Sequence, residues 1–336
     1  MTEVSASEEI NQIEMERPHV VLLGAGASRA AFPEGEANGK RLPLMGDFTQ
    51  IVPIGNLLKR AGVDYEGRNF EDLYSELCTD AEFRAVREDI DRAVFDYFSS
   101  LALPPDPTLY DHLVLSLRPK DVIATFNWDP FLIQAVRRNQ IMRGESPYLL
   151  FLHGNVLAGY CRLDQVHGVR GARCSKCGKA FEASSLLYPV ASKPYDDEPA
   201  ISDAWRMATA SLKHAFMVTI FGYSAPRSDR SAIKLLLDAW GGSEERSMEQ
   251  FEIIDVRPED ELIESWARFI HTHHYEVHLS AYDSWLFNHP RRTGEAYLNQ
   301  YLNAMFIEAN PLPRDSSFDE LWTWLKPLFD REHRVV

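Results

Sequence analysis

The stretch His19-Val-Val-Leu-Leu-Gly24-Ala-Gly26-Ala-Ser28 joins a run of apolar residues directly to a turn of small residues. The apolar run is uniform rather than alternating, which is typical of a strand buried on both faces of a parallel sheet. The small residues let backbone N–H groups approach a diphosphate, and the start of a following helix favours its negative charge. Arg29 stands where the usual dinucleotide fingerprint has its third glycine, so a plain strand-to-helix turn is an equally good interpretation of this motif alone.

Further apolar runs follow along the chain, and segments with helical spacing of apolar residues lie between them. Strands buried on both faces and joined by helices are the units of an open parallel sheet. The sequence therefore predicts an α/β protein with a Rossmann-like, doubly wound parallel sheet. The predicted strands cover residues 19–23, 121–126, 148–152, 215–221, 251–256 and 275–279.

Two segments between the predicted strands are too long to be simple crossovers. Residues 47–118, approximately, carry apolar residues at helical spacing and are predicted to form a helical insertion. Residues 154–199, approximately, are rich in Gly, Cys, Ser and charged residues. This composition is typical of a small module that needs a disulfide or a metal ion for its stability. The predicted division of the chain is an N-terminal tail (1–17), a central domain (18–280) and a C-terminal helical extension (281–336).

The composition restricts the partners and the compartment of this protein. Among 336 residues, 50 are acidic and 35 are basic, giving a formal charge of -15 that repels phosphate backbones. Direct, sequence-independent nucleic-acid binding is therefore not expected. The first residues are polar and acidic rather than basic and apolar, and no apolar stretch reaches the length of a membrane span. We expect a cytoplasmic protein that does not contact membranes.

The cysteines point to a metal. Cys161, Cys174 and Cys177 lie within a short segment, and in a reducing compartment such clustering favours a metal over a disulfide. The run Cys174-Ser-Lys-Cys177-Gly178 lets two thiolates reach one tetrahedral ion. We predict a structural zinc ion held by these three cysteines and by His167 as the fourth ligand. The alternative is a module of the same shape without metal.

Polar or small residues follow several predicted strands at the point where each strand ends. In open α/β sheets, ligands bind outside the carboxyl ends of the strands, so we expect these residues to converge on one site. Asp129 follows one of these strands, but a structural role explains it equally well, because it directly precedes Pro130 and could be the N-cap of the next helix. A buried amide at a strand end, in contrast, requires a hydrogen-bond partner. These residues are Thr125, Asn127, His153, Gly222, Tyr223, Ser224 and Asp255.

The motifs between about Pro18 and Val256 resemble those of the sirtuins and occur in the same order along the chain. The resemblance is closest to a bacterial sirtuin-like branch whose members are often NAD-consuming effectors in anti-phage defence. Pro43-Leu-Met45-Gly-Asp47-Phe48 and Asn69-Phe-Glu-Asp-Leu73 are similar to that branch and replace the segment that deacylases carry after the glycine turn. The other matching motifs are Gly24-Ala-Gly26-Ala-Ser28, Thr125-Phe-Asn127-Trp-Asp129, His153-Gly154, the cysteine-bearing insertion, Gly222-Tyr-Ser224 and Ile254-Asp255.

The resemblance implies NAD as the substrate and a role for each motif. Asn127 and His153 would face the nicotinamide ribose, with Asp129 orienting or polarising them. Pro43 and Met45 would wall the nicotinamide pocket. A carboxylate at Asp255 favours an unphosphorylated ribose, because it would repel a 2′-phosphate. The residues implied to bind NAD are Gly24, Ala25, Gly26, Ala27 and Ser28 at the diphosphate, Thr125 and Phe126, and Gly222, Tyr223, Ser224 and Asp255 on the adenosine side.

Three functions are compatible with these residues. The leading one is an NAD glycohydrolase that releases nicotinamide and ADP-ribose. An NAD-dependent protein deacylase shares the cofactor motifs, but residues 186–192 lack the Phe-Gly-Glu type segment that borders its peptide channel. The third is a non-catalytic NAD or ADP-ribose sensor subunit. We expect a homo-oligomer that an activating partner, such as an ATPase, could regulate.

Overall fold

The computed structural model describes residues 3–139, 141, 145–188, 195, 198–224, 230–242, 244, 246, 248–270 and 274–333. Residues 189–192 belong to the segment that lacks the motif typical of deacylases. They lie outside the described residues. The strands are β1 (Glu3–Val4), β2 (His19–Leu23), β3 (Val122–Thr125), β4 (Tyr148–Phe151), β5 (Ala158–Cys161), β6 (Val166–Val169), β7 (Glu182–Ala183), β8 (Met217–Phe221), β9 (Gln250–Ile254), β10 (Tyr275–His278) and β11 (Phe306–Ile307).

Helices separate most of these strands. None of the helices described is both long enough and apolar enough to cross a membrane. The helices are α1 (Ala6–Glu9), α2 (Ala25–Ala31), α3 (Phe48–Ile51), α4 (Gly55–Arg60), α5 (Phe70–Thr79), α6 (Arg84–Ser99), α7 (Leu109–Leu115), α8 (Phe131–Arg138), α9 (Pro199–His214), α10 (Arg230–Trp240), α11 (Glu259–Trp266), α12 (Trp285–Asn288), α13 (Thr293–Tyr297) and α14 (Phe318–His333).

The central sheet has six strands in the order β10-β9-β8-β2-β3-β4, and every neighbouring pair is parallel. The chain moves outward from β2 in one direction to β4, then returns and moves outward in the other direction from β8 to β10. Such a reversal creates a crevice at the carboxyl ends of the first strands of the two halves, here β2 and β8. The predicted doubly wound parallel sheet is confirmed, with strand ends that differ from the prediction by one or two residues.

Both faces of the sheet are covered, which explains why its strands are uniformly apolar. On β2, Val20 and Leu22 belong to one buried cluster, and Val21 and Leu23 belong to another. Apolar residues of α9, α10 and α11 complete the first cluster, and those of α5 to α8 and α14 complete the second. Each fully buried Val or Leu contributes roughly 1.5–3 kcal/mol to the transfer from water, so covering both faces stabilises the sheet strongly.

The cysteine-bearing segment forms a separate antiparallel sheet in the order β6-β5-β7. The first described residues contact the C-terminal part of the chain, because β1 pairs in parallel with β11. Glu9 and His289 form a buried pair with 2.6 Å between Oε1 and Nδ1. Residues 3–9, which the sequence places in a tail, are therefore attached to the C-terminal extension.

Candidate active site

A cleft of about 830 Å³ lies at the carboxyl ends of β2, β3, β8, β9 and β10. Its volume falls within the roughly 300–1,000 Å³ range of small-molecule sites. Ala27 and Thr125, both predicted to bind the cofactor, are buried behind its surface. The predicted residues that line it are Gly24, Ala25, Gly26, Ser28, Pro43, Met45, Phe126, Asn127, Asp129, His153, Gly222, Tyr223, Ser224 and Asp255.

The floor of the cleft is formed by two backbone segments that touch each other. Gly24 N donates to Phe221 O at 3.0 Å, and Gly26 N donates to Gly222 O at 2.9 Å. A Cβ atom on Gly24 would lie 2.4 Å from Gly222 O, and one on Gly222 would lie 2.2 Å from Ala27 N. Gly222 also has a φ of +62°, a conformation that side chains disfavour. Glycine is required at these positions for the β2–α2 turn to meet the end of β8.

A buried polar cluster lies at one side of this floor. Ser28 Oγ donates to Asp129 Oδ2 at 2.6 Å, and Asn127 Nδ2 donates to Gly24 O at 2.9 Å and to Ser28 Oγ at 3.0 Å. Tyr110 OH lies 2.7 Å from Ser28 Oγ and donates to it, because the serine proton already points to Asp129. Sequence reasoning missed Tyr110, since its position in α7 looks like any other apolar helix position.

Burial makes the carboxyl group of Asp129 a weaker acid than usual. Its side chain is removed from water, which raises the pKa of the carboxyl to about 6, although Ser28 Oγ and Phe131 N donate to it and act in the opposite direction. Phe131 N lies 3.3 Å from Oδ1, so Asp129 does support the start of α8 as a cap would. This carboxyl therefore changes charge close to neutral pH while it serves both the helix and the cleft.

His153 lines the same cleft as the glycine turn, at the point where β4 leads into the cysteine-bearing segment. Its buried ring packs edge-on against Phe126, with 4.9 Å between ring centroids, and Nε2 lies 3.4 Å from Tyr195 OH. Gly154 turns the chain with a φ of +76°, and a Cβ there would lie 1.9 Å from Ser185 O. The turn thus fixes the backbone that carries His153.

The far end of the cleft contains Asp255 and a cation that the sequence did not reveal. Arg257 Nη2 lies 3.1 Å from Asp255 Oδ2, and Arg257 N donates to Oδ1 at 3.0 Å. The carboxylate is therefore partly neutralised before any ligand binds. The ring of Tyr223, which also lines the cleft, stacks on Phe126 with 4.0 Å between centroids.

The cysteine module brings together four ligand atoms that fit one metal ion. Cys161, Asp164, Cys174 and Cys177 each place a ligand atom within 4.8 Å of the others. The Sγ atoms of Cys161 and Cys177 are 3.5 Å apart, and Asp164 Oδ2 lies 3.1 Å from Cys174 Sγ. Tetrahedral zinc with Zn–S bonds of about 2.3 Å needs sulfurs about 3.8 Å apart, so this set fits structural zinc.

The structure does not bring His167, which was predicted as the fourth ligand, to this set, and it places Asp164 there instead. Strand pairing explains the difference: β5 and β6 place His167 opposite Tyr160, and Cys161 opposite Val166. Directly paired residues share a face and successive residues alternate, so His167 lies on the face opposite Cys161. Its Nε2 instead lies 2.9 Å from Asp203 Oδ2.

We predict about one zinc ion per chain, held by the three cysteines and Asp164. Asp164→Ala should weaken zinc binding at least tenfold, since even the loss of a hydrogen-bonding partner of a ligand costs about 10–100-fold. His167→Ala removes the nearby histidine and should leave the affinity unchanged. Elemental analysis and competition with a chelator measure both. Protein without zinc and with freely titrating thiols would contradict this assignment.

Solved structures of Sir2 proteins are similar to this chain at low identity. A Sir2 homologue in complex with NAD is 14% identical with a TM-score of 0.37, over 90% of this chain and 96% of its own. A mutant Sir2 homologue in complex with 2′-O-acetyl-ADP-ribose is 14% identical with a TM-score of 0.39, over 88% and 96%. No protein-family model and no curated protein matches the chain. At such scores, the fold class rests on the chain's own sheet topology.

Proposed function

We propose that this protein hydrolyses the bond between nicotinamide and ribose in NAD. The observation that carries the proposal is that Asn127, Asp129 and His153 line the same cleft as the glycine turn and Asp255. A floor of glycine backbone suits a diphosphate, because side chains do not keep the ligand at a distance. The three polar side chains are in addition almost fully buried, with 8%, 4% and 7% of their surface exposed.

Each polar group has a role in this reaction. Cleavage of the N-glycosidic bond leaves its electron pair on the nicotinamide nitrogen and a positive charge on the ribosyl carbon. The ionised carboxylate of Asp129, in a site with little water, stabilises that charge. A water molecule then forms the new C–O bond, and His153 accepts the proton that this water loses. Asn127, held by Gly24 O and Ser28 Oγ, positions the ribose or the water.

The raised pKa of Asp129 predicts a pH dependence of activity. If the ionised carboxylate is the active form, nicotinamide release should rise as pH increases through about 6, where this group loses its proton. Asp129→Asn should be slow and should lack this rise. Initial rates between pH 5 and 8, for wild type and variant, measure it. If the rate of the variant rises with the same midpoint, a group other than Asp129 is titrating.

The same pKa predicts how stability changes with pH. Because the folded pKa of Asp129 is raised from 3.8 to about 6, the protonated carboxyl stabilises the fold below about pH 4, and this contribution is lost as pH rises through about 6. At one pKa unit per 1.36 kcal/mol, the loss is at most on the order of 3 kcal/mol. The difference in unfolding free energy between wild type and Asp129→Asn should therefore fall over this interval in denaturant titrations.

One assay separates this activity from its alternatives. Purified protein is incubated with NAD, with and without an acylated peptide, and free nicotinamide is measured. Release without peptide supports the glycohydrolase. Release that requires the peptide would replace it with protein deacylation, and tight NAD binding without release would replace it with a sensor.

We further propose that the activity serves anti-phage defence, on the basis of the motifs in residues 43–48 and 69–73. Unrestrained NAD hydrolysis would harm its own cell, so the enzyme would work under the control of assembly or of a partner. Cells that express the wild type or Asn127→Ala are infected with phage, and their NAD is measured over time. If the NAD content stays constant in both kinds of cell after infection, the proposed defence role is wrong.

A further inference from the structure

A short segment, residues 42–47, forms one wall of the cleft and is called the strap here. Leu42, Pro43, Leu44, Met45 and Gly46 all line the cleft. The strap carries neither a helix nor a strand of its own, so its position depends on the groups that bind it. One of these comes from the helical insertion, where Phe70 N donates to Met45 O at 2.8 Å.

Arg29 binds both ends of the strap. Its Nε donates to Leu42 O at 2.7 Å, and its Nη2 forms an ion pair with Asp47. Asp47 in turn accepts a hydrogen bond from Leu44 N at 2.7 Å through its other oxygen. Both charged side chains are only partly exposed, at 27% and 29%, so solvent screens the pair less than it would at the surface.

The position of Arg29 in the chain connects the strap to the polar cluster. Arg29 directly follows Ser28, the residue that donates to Asp129. Because both residues lie in α2, the helix fixes the strap relative to the carboxylate. This contact also accounts for an arginine where a dinucleotide fingerprint has glycine. A glycine there could hold neither Leu42 O nor Asp47.

We propose that Arg29 is a positioning residue that holds the strap as the wall of the nicotinamide end of the cleft. The inference rests on the proposed function, because it needs NAD in this cleft. The strap presents apolar Leu42, Pro43 and Met45. Such a wall suits the flat nicotinamide ring and keeps bulk water from it, whereas the diphosphate and adenosine parts contact the glycine floor and the Asp255 end.

The test compares two ligands that differ in the nicotinamide group. In Arg29→Ala, the Kd of NAD should rise about tenfold or more, because two charge-assisted hydrogen bonds to the strap are lost. The Kd of ADP-ribose should change less than about threefold. Arg29→Lys, a cation without the guanidinium fork, should fall between wild type and alanine. Arg41→Ala is the matched control, since this exposed arginine has the same charge and adjoins the strap.

Calorimetric titration of all four proteins, each also carrying His153→Ala so that NAD is not consumed, together with their melting temperatures, decides between the outcomes. An equal loss of NAD and ADP-ribose affinity, or no loss of either, overturns the role of Arg29 and leaves the proposed function standing. Asp47→Ala should weaken NAD selectively as well, and adding it to Arg29→Ala should cost little more, because the two residues share one interaction. Wild-type protein that binds neither ligand would overturn the proposed function and this inference together.

Discussion

Asn127→Ala and His153→Ala should each lower the rate of nicotinamide release by about a hundredfold or more, as expected for lost positioning and lost proton transfer. The affinity for ADP-ribose should fall far less in His153→Ala, because the residues proposed to contact the diphosphate and the adenosine lie on other strands. Asn127→Ala also removes one of the donors to Gly24 O and one of the donors to Ser28 Oγ, so the loss of two buried hydrogen bonds should destabilise the fold by about 1–3 kcal/mol. Nicotinamide release, ADP-ribose titration and thermal unfolding of each variant measure these effects.

Two buried residues away from the cleft provide matched controls. Asn139 Nδ2 also donates to two acceptors, Asp111 Oδ1 at 2.9 Å and Ala135 O at 2.8 Å. His19 lies at the opposite end of β2, with Nε2 2.7 Å from Thr219 Oγ1. Asn139→Ala and His19→Ala should lower stability by comparable amounts and leave the rate of the folded protein near that of wild type. If the controls lose as much activity as the cleft variants, the catalytic roles of Asn127 and His153 are wrong.

Gly222→Ala should abolish ligand binding and strongly destabilise the protein. A methyl group at this position would lie 2.2 Å from Ala27 N and 2.5 Å from Gly26 C, and these are backbone atoms that cannot move without shifting α2. The positive φ adds about 1 kcal/mol of strain for any residue with a side chain. We expect a total loss above about 3 kcal/mol, within the range of severe steric changes in cores. Thermal unfolding and ADP-ribose titration are the measurements.

Gly171→Ala separates the steric effect from the backbone effect. Gly171 has a φ of +80°, similar to that of Gly222, but a Cβ there would meet no atom within 4 Å. It should therefore cost only the backbone strain and leave ADP-ribose binding intact. If the two substitutions have equal effects, Gly222 is not required for the contact between the β2–α2 turn and the end of β8.

Much of the candidate site could be predicted from the sequence because strand ends are local features. A uniformly apolar run followed by Gly24 or Asn127 identifies both the strand and the point where it stops. In a parallel sheet all such points lie at one edge, so motifs far apart in the chain could be placed together before their contacts were known. The sequence did not predict which of these residues reach the surface of the cleft. Ala27 and Thr125 lie behind that surface.

Contacts between distant segments had no such local signal. Tyr110 reaches Ser28 from a helix whose pattern indicates only burial. Likewise, the pairing of β1 with β11 joins segments from opposite ends of the chain. Each depends on how whole elements pack, which residue spacing does not encode.

By itself, the sequence determined the parallel α/β sheet, the edge at which its polar residues converge and the grouping of three cysteines in one small module, because each follows from the periodicity or spacing of neighbouring residues. Only the tertiary structure showed that Asp164 lies with the three cysteines and that Arg29 binds the strap. Asp164 and not His167 lies there because the register of β5 and β6 turns the histidine to the other face of the hairpin. Arg29 binds the strap because the fold brings residues 42–47 against α2, a contact that the spacing of residues along the chain does not indicate.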